Sequence, residues 1–503
     1  MTQAEPVSTS EEISLAQRTS RGFAWLLMQT LGSKAFSAVG QIFLAHLLAP
    51  HDYGLVALAY TACTIPGMLR QTGVPQVLVQ KQSRFPRWAN AGFWMELYLG
   101  LGAAILMVLA APIAAVLFHT RDVVGPILVV ASSALISPLA AVPGADLTRR
   151  LEFRSLALVG LAYNILAMAI SVLLAALHFG VYSFVIPLPV CSALRAVAFW
   201  RLARPRIRWN PQFRRWWGLA AGSGPLLGAS FCAVTIFTAQ NLSLGLFHSK
   251  EMMGDYFFAW NLASQVVQLL ATNLSGVLFP ALSTLQNDPQ RQLGAFLRAA
   301  RAMALLAVPI CILEIIFARP GVELIYGAKW LPAVPMVQYF AAASVFTLLA
   351  GLAQNLLSAQ GRFLLQLRWA AIAAVLYIPV GFVVGMKYGA VALVATTLVY
   401  GFINTPIGMF LAVRRGGGRA RDVAGVLAPP CLLGLAAVIP AVLLLWLLPM
   451  KFRTDLVELL VAVLLTPPLY ALLVRRFRRA DFDELAGHIQ SLLRRIFRRE
   501  PAP

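Results

Sequence analysis

Fourteen long apolar runs follow one another along the chain, at about 22–48, 53–80, 88–118, 123–144, 155–178, 180–200, 218–247, 255–286, 299–318, 331–359, 363–386, 388–413, 422–448 and 455–474. About 20 consecutive apolar residues cross a bilayer as a helix. A chain that repeats such runs from end to end satisfies its backbone in lipid only as a set of helices. The runs therefore predict an all-α polytopic membrane protein of about 14 transmembrane helices. Several runs exceed the spanning length, which predicts tilted helices or ends that project beyond the bilayer. Composition agrees: 59% of the residues are hydrophobic and 12% charged, against about 45–50% and about 25% in soluble domains.

The formal net charge is +21, which in a soluble chain would suggest nucleic acid. Here the charges gather between the runs, so they are read as topology and no nucleic-acid partner is expected. With the N-terminus inside, the segments assigned to the cytoplasm hold 31 of the 41 Lys and Arg residues, and the external loops hold 7. That asymmetry predicts an even helix count with both termini cytoplasmic. Residues 1–21 are polar, with Glu5, Glu11 and Glu12, and read as a cytoplasmic tail without a cleavable leader. The expected layout is an N-lobe of six helices over 22–200, a basic cytoplasmic linker over 201–217 and a C-lobe of six helices over 218–413. Two further helices follow within 414–474, then a basic tail over 475–503. The linker reads RLARPRIRWNPQFRRWW, and its Arg and Trp residues suit a segment lying at anionic headgroups. In the tail, Leu485, Ile489, Leu492, Leu493 and Ile496 recur at helical spacing. That pattern describes a helix lying on the inner leaflet or a dock for a partner enzyme.

An internal repeat is suggested by His51-Asp52-Tyr53-Gly54 and Gly254-Asp255-Tyr256-Phe257, each after the first long run of its set. The offset is 203, with two identities in four residues, and it fits two parallel six-helix repeats. At that offset Arg70 faces Asn273 and Lys34 faces Phe237, so the cationic chemistry belongs to the first set.

The remaining three basic residues, Lys34, Arg70 and Arg195, lie inside apolar runs. At about 1.5 Å per residue, Lys34 is roughly 18 Å above the start of its run near Gly22, and Arg70 roughly 15 Å from the end of its own near Gln80. The two runs are antiparallel, so both cations sit at a similar depth. A cation there costs about 2.5 kcal/mol or more and normally faces a bundle interior or a watery cavity. Each either pairs with a carboxylate or binds an anion. For Arg70, bidentate phosphate contact is the sharper reading, with Pro66-Gly67 and Gly73-Val74-Pro75 loosening its helix. Glu96 is near Arg70 in depth and either bridges to it or lines the same cavity. Arg195 is near a cytoplasmic helix end and is expected to snorkel. Glu314 is a candidate proton or sodium site. Among the buried amides, interhelical hydrogen bonding is the default, while Gln265, Gln268 and Asn273 on the eighth run are candidate cavity-lining residues. Trp94, Trp260 and Tyr339 offer aromatic faces to a sugar, and Trp25 suits an interface anchor.

Several chemistries lack residues to support them. Gly321 to Lys329 reads GVELIYGAK, the wrong spacing for a Walker-type phosphate loop. The six histidines are scattered, so no metal site is expected. The five cysteines fall in or beside apolar runs and read as small core residues. No external loop is long enough for a catalytic domain. Neither an enzyme nor a cofactor is expected.

The string Asp52-Tyr53-Gly54-Leu55-Val56-Ala57-Leu58-Ala59 after Leu47-Leu48-Ala49-Pro50, then Gly73-Val74-Pro75 and Gln80-Lys81, resembles the first hairpin of bacterial polysaccharide transporters. These are the Wzx-type flippases of the multidrug/oligosaccharidyl-lipid/polysaccharide exporter superfamily. The resemblance continues at Arg149-Arg150-Leu151-Glu152-Phe153-Arg154, Phe279-Pro280 and Gly327-Ala328-Lys329-Trp330, and spans the first twelve helices. It implies two six-helix lobes around a central cavity in the bacterial inner membrane. The implied cargo is a lipid-linked oligosaccharide, usually on undecaprenyl diphosphate, turned over toward the periplasm for surface or exopolysaccharide synthesis. Glycosyltransferases and a polysaccharide polymerase would be partners, alongside membrane lipids. Lys34 and Arg70 stand where related flippases place basic residues. Coupling-ion sites occur in parts of the superfamily, and this chain carries no acidic cluster that matches one. An ion-coupled drug or metabolite antiporter of the same superfamily is the alternative.

Overall fold

The structure is a computed structural model and describes residues 9–70, 73–80, 85–220, 224–447, 455–479, 481–483 and 487. The side chains of a few helical residues within these ranges, Gln268 and Asn273 among them, lie outside the described set. In chain order the helices are α1 (Thr9–Leu47), α2 (Pro50–Gly67), α3 (Val74–Gln80), α4 (Phe85–Leu117), α5 (Val124–Ile136), α6 (Ala141–Arg149), α7 (Phe153–Ala176), α8 (Tyr182–Val185) and α9 (Pro187–Ala203). They continue as α10 (Trp216–Ala220), α11 (Gly224–Phe247), α12 (Lys250–Thr284), α13 (Pro289–Gly321), α14 (Val334–Ala359), α15 (Phe363–Val413), α16 (Ala420–Leu447) and α17 (Asp455–Phe477). No strand occurs among the described residues. Nine helical stretches among them are long and apolar enough to cross a membrane, and Met28–Leu47 with Pro50–Arg70, turned by 119°, form a further pair. All fourteen apolar runs coincide with helices, so the expected all-α polytopic fold is the one observed.

Three runs are less regular than their hydropathy suggests. The second run is broken: α2 ends at Gly67 behind Pro66, one 3₁₀ turn covers Met68–Arg70, and α3 begins at Val74 after Gly73 at φ +70°. The proline removes a helix donor and the glycine adopts a left-handed conformation at no steric cost. The fourth run stops at Ile136, passes through the 3₁₀ turn Ser137–Ala140 at Pro138, and resumes as α6. The expected boundary at Lys387 lies instead at Gly389, where φ +79° and ψ −168° kink α15 into two spans. His248 Nε2 donates to the Gly385 carbonyl across 2.7 Å beside that kink.

The helices form two units, one from α1 and Ala59–Gly224, the other from Ala49–Leu58 and the helices after Pro225. In the first unit α1 and α7 run parallel: Gln29 lies by Gly160, Leu161 by Gly32 and Met168 by Gly40. Runs one and five thus point the same way, as alternate crossing requires. The segment after α9 is strapped to the start of α4. The Asn90 amide donates to Asn210 and accepts from the Arg208 N–H, and the Trp94 indole donates to the Arg208 carbonyl at 2.8 Å. The strap leaves Trp209 93% exposed beside the exposed Arg206 and Arg208, a composition suited to anionic headgroups. The second unit is centred on α14, whose Leu349, Leu352 and Leu356 are buried against Phe296, Ala300 and Val308 of α13. α17 joins it through Tyr470, which donates to the Leu305 carbonyl.

Also within the second unit, the first turns of α2 and α12 cross. A Cβ on Gly54 would overlap the Lys250 carbonyl, and one on Gly254 would overlap the Pro50 carbonyl. Small residues allow this backbone approach. The reciprocity fixes the repeat offset at 200: Pro50 matches Lys250, Gly54 matches Gly254, and α1 and α11 end at Leu47 and Phe247. The offset of 203 read from the Asp-Tyr pairs was nearly one helical turn out of register.

Two outcomes follow from these contacts. Gly54→Ala or Gly254→Ala should lower thermal stability in detergent by about 1–3 kcal/mol or more, because a backbone carbonyl cannot rotate aside. Gly321→Ala, which meets nothing within 4 Å, should leave the melting temperature near wild type. Equal melting temperatures for all three would contradict the close crossing. His248→Ala should cost about 1–3 kcal/mol by leaving the Gly385 carbonyl unpaired, measured in the same way.

Candidate substrate site

In the first unit, Arg70 occupies the 3₁₀ turn that follows the Pro66-Gly67 break. A helix break frees backbone and opens room for a polar group inside an apolar bundle. The Arg70 guanidinium donates through Nη2 to the hydroxyl of Ser137. Ser137 starts the second 3₁₀ interruption, at Pro138, so two breaks in neighbouring runs meet through one hydrogen bond. Arg70 Nε is buried without a hydrogen-bond partner. Glu96, 5% exposed on α4, is near enough to act on the Arg70 charge, and so is Arg195 on α9.

Arg195 is partly exposed near the end of α9. Its guanidinium carbon lies 4.8 Å over the ring of Tyr163 on α7, and its Nε is buried without a hydrogen-bond partner. Five residues on, Trp200 donates its indole N–H to the Leu139 carbonyl across 2.8 Å, which ties α9 to the turn that holds Arg70. The ring gives the guanidinium an aromatic support within the unit. The helical register that put Arg195 near a run's end does not reveal which neighbour faces it. The signal available in the sequence was simply that it is the third cation inside an apolar run.

Lys34 is partly exposed on α1, in the stretch that packs on α7 between the Gly32–Leu161 and Gly40–Met168 contacts. Among the described residues no hydrogen bond or ion pair joins it to Arg70. Gln265 is partly exposed on α12, in the second unit, while the side chains of Gln268 and Asn273 lie outside the described set. Two of the aromatic faces are already used. Trp94 packs on Phe93 and Trp209 in the strap, and Trp260 lies 5.1 Å from Phe237 and 5.3 Å from Phe340. Trp25 lies under the Arg154 guanidinium at 5.5 Å.

The second unit carries neutral networks and two less satisfied carboxyls. Gln240 donates to Tyr377 at 2.9 Å, and Tyr377 donates to Thr397 at 2.9 Å, with Tyr400 stacked on Tyr377 at 4.2 Å. Gln338 donates to the Ile315 carbonyl. Both amides join helices, as the default reading held. Asp255 Oδ1 and Glu314 Oε2 are buried without hydrogen-bond partners. Two motif residues meet: Trp330, 0% exposed, lies 4.8 Å from Tyr53 and stacks on Phe258 at 4.2 Å. They build the α2–α12 crossing and carry no ligand chemistry, which is why they mark the family better than the cargo.

Comparison with known proteins agrees with this picture. A family model described as polysaccharide biosynthesis protein matches residues 43–335. The succinoglycan biosynthesis transport protein ExoT of Rhizobium meliloti is 25% identical over 328 residues, 64% of this chain and 65% of that one, so the match spans just under two thirds of that relative. The lipopolysaccharide biosynthesis protein WzxC of Escherichia coli is 20% identical over 410 residues, covering 80% of this chain and 82% of that one. Among solved structures, the lipid II flippase MurJ in an inward closed conformation aligns over 90% of this chain and 99% of its own at a TM-score of 0.72, with 16% identity. An inward-facing multidrug transporter of the MOP superfamily aligns over 82% of this chain at 0.56. These two show the shared fold. The chain belongs to the polysaccharide biosynthesis protein family.

Proposed function

We propose that this protein is a flippase for a lipid-linked oligosaccharide repeat unit on a polyprenyl diphosphate, of the undecaprenyl type. It turns its cargo from the cytoplasmic to the periplasmic leaflet of the bacterial inner membrane by alternating access, with both termini cytoplasmic. Glycosyltransferases supply the cargo and a polysaccharide polymerase removes it. The observation that carries the proposal is Arg70, a guanidinium held by Ser137 at a helix break inside an apolar unit, with its Nε unused. Oligosaccharides are neutral or variable in charge, whereas the diphosphate is a constant anion that must pass a low-dielectric region with its charge compensated. A guanidinium meets phosphate in bidentate geometry. Lys34 is assigned to the same path as a point charge, and Glu96 as the carboxylate that balances Arg70 when cargo is absent. A second reading, an ion-coupled antiporter, draws on the buried, incompletely bonded Asp255 and Glu314.

The test is Arg70→Ala expressed from the native locus. Membrane insertion should be normal while surface polysaccharide falls by about tenfold or more, the scale set by losing a charge-assisted pair of hydrogen bonds. Arg70→Lys should restore part of it. Wild-type polysaccharide in Arg70→Ala would remove the cationic path from the mechanism.

A further inference from the structure

Three arginines meet at one end of the second unit. Residues 360–362 join α14 to α15, and the 3₁₀ turn Arg414–Gly416 follows α15. Three hydrogen bonds lace these connections together. Arg362 Nη1 donates to the Leu411 carbonyl at 3.2 Å, Arg415 Nη1 to the Gln360 carbonyl at 3.0 Å, and the Gln360 side-chain amide to the Ala412 carbonyl at 3.1 Å. Arg362, Arg414 and Arg415 together line a recess of about 430 Å³. Arg362 is half-buried, and the other two are exposed. Among the described residues no carboxylate forms an ion pair with any of the three. Asp422, the acid nearest in sequence, accepts from the Arg419 N–H at 2.7 Å. A charge that only sets topology can act from anywhere in a flanking loop. Here two guanidinium groups are pinned in place, and each keeps further N–H donors for a ligand.

The recess lies where three apolar spans end. Ala328–Ala359, Phe363–Gly416 and Ala420–Leu444 are each long and apolar enough to cross a membrane, so their shared end belongs at headgroup level. The Arg414 N–H bonds to the Phe410 carbonyl one turn back. Phe410 in turn lines a groove of about 340 Å³ with Phe402, Ala420, Val423 and Leu427 of α15 and α16. A cationic recess and an apolar groove thus stand one helical turn apart, the two parts of a lipid. We infer that Arg362, Arg414 and Arg415 form a binding site for an anionic bilayer phospholipid. The guanidinium groups take its phosphodiester in charge-assisted, forked contacts, and the groove takes one acyl chain. Basic pockets between transmembrane helices suit such headgroups. A zwitterionic headgroup would bring its own cation toward three positive charges, which disfavours it. The ligand is a lipid of the surrounding membrane and not the cargo, so the assignment stands whether or not the flippase reading holds.

The experiment is native mass spectrometry of the full-length protein purified in detergent and titrated with phosphatidylglycerol or phosphatidylcholine. Wild type should retain phosphatidylglycerol better by about tenfold or more, the scale of one charge-assisted contact. An excess of inorganic phosphate should not displace it. Arg414→Gln should remove most of the preference and leave the melting temperature near wild type, because the Arg414 guanidinium takes no part in the lacing. Should that variant fail to purify as a monodisperse protein, Arg414→Lys carries the test, and it should lose most of the preference while keeping the charge. Arg421→Gln removes the same charge from the same connection outside the recess and should bind as wild type. A preference that persists in both Arg414 variants would overturn the site. An equal loss in Arg421→Gln would also overturn it, by reducing it to diffuse charge. Displacement by inorganic phosphate would overturn the lipid as its ligand, and equal retention of the two lipids by wild type would overturn the proposal outright.

Discussion

The second unit is organised by a contact between two backbones. Where the first turns of α2 and α12 cross, each presents a glycine to the other's first carbonyl, Gly54 to Lys250 and Gly254 to Pro50. No other residue type permits that approach. Once the crossing is set, Tyr53 packs edge-on against the stacked pair Phe258 and Trp330, and Trp330 is sealed from solvent. The two helix starts are capped differently. Asp52 reaches back to the Ala49 N–H at 3.0 Å, whereas the Ser249 hydroxyl accepts from the Met252 N–H at 3.2 Å. These are the two halves of a capping box, divided between related helices. A duplicated crossing has thus kept its geometry while its local chemistry diverged.

The first unit answers a different constraint, the cost of charge in hydrocarbon. Each buried cation costs about 2.5–3.5 kcal/mol at a helix centre, so its retention calls for compensation or use. Arg70 receives both a hydroxyl and a carboxylate, and Arg195 receives an aromatic face. None of these neutralises the pair in full. The breaks at Pro66-Gly67 and Pro138 supply the space, and each costs regular helix hydrogen bonds. A bundle selected for stability alone would keep neither the breaks nor the charges. Their coincidence on one Arg–Ser hydrogen bond is the strongest structural mark of function in the chain.

Much of this was legible in the sequence, for physical reasons. Lipid enforces long apolar runs and a charge bias between them, so the helices and their order can be read directly. Even the kinks had signals, in Pro66-Gly67, Gly73 and Gly389. What escaped was whatever depends on a partner's face. The ring beneath Arg195 could not be read, because Tyr163 is distant in sequence. Trp94 and Trp260 read as sugar platforms because Trp209 and Phe340, which pack on them, lie outside their own runs. The repeat offset was misread because identical side chains, Asp and Tyr, drew the eye from the glycines that the backbone contact requires. Conversely, Arg70 stands out in the sequence itself, since a cation flanked by helix breakers is conspicuous in an apolar run.

The central claim is that the cations of the first unit carry an anionic lipid headgroup across the membrane. The direct measurement uses inverted membrane vesicles with a radiolabelled lipid-diphosphate oligosaccharide in the outer, cytoplasm-derived leaflet, and follows its protection from an added glycosidase. Wild type should protect the label with time, and Lys34→Ala/Arg70→Ala, inserted at the same level, should not. Equal protection by the double variant would contradict the account. So would no protection by wild type with a cationic dye accumulating under an ion gradient, which is the behaviour of an antiporter.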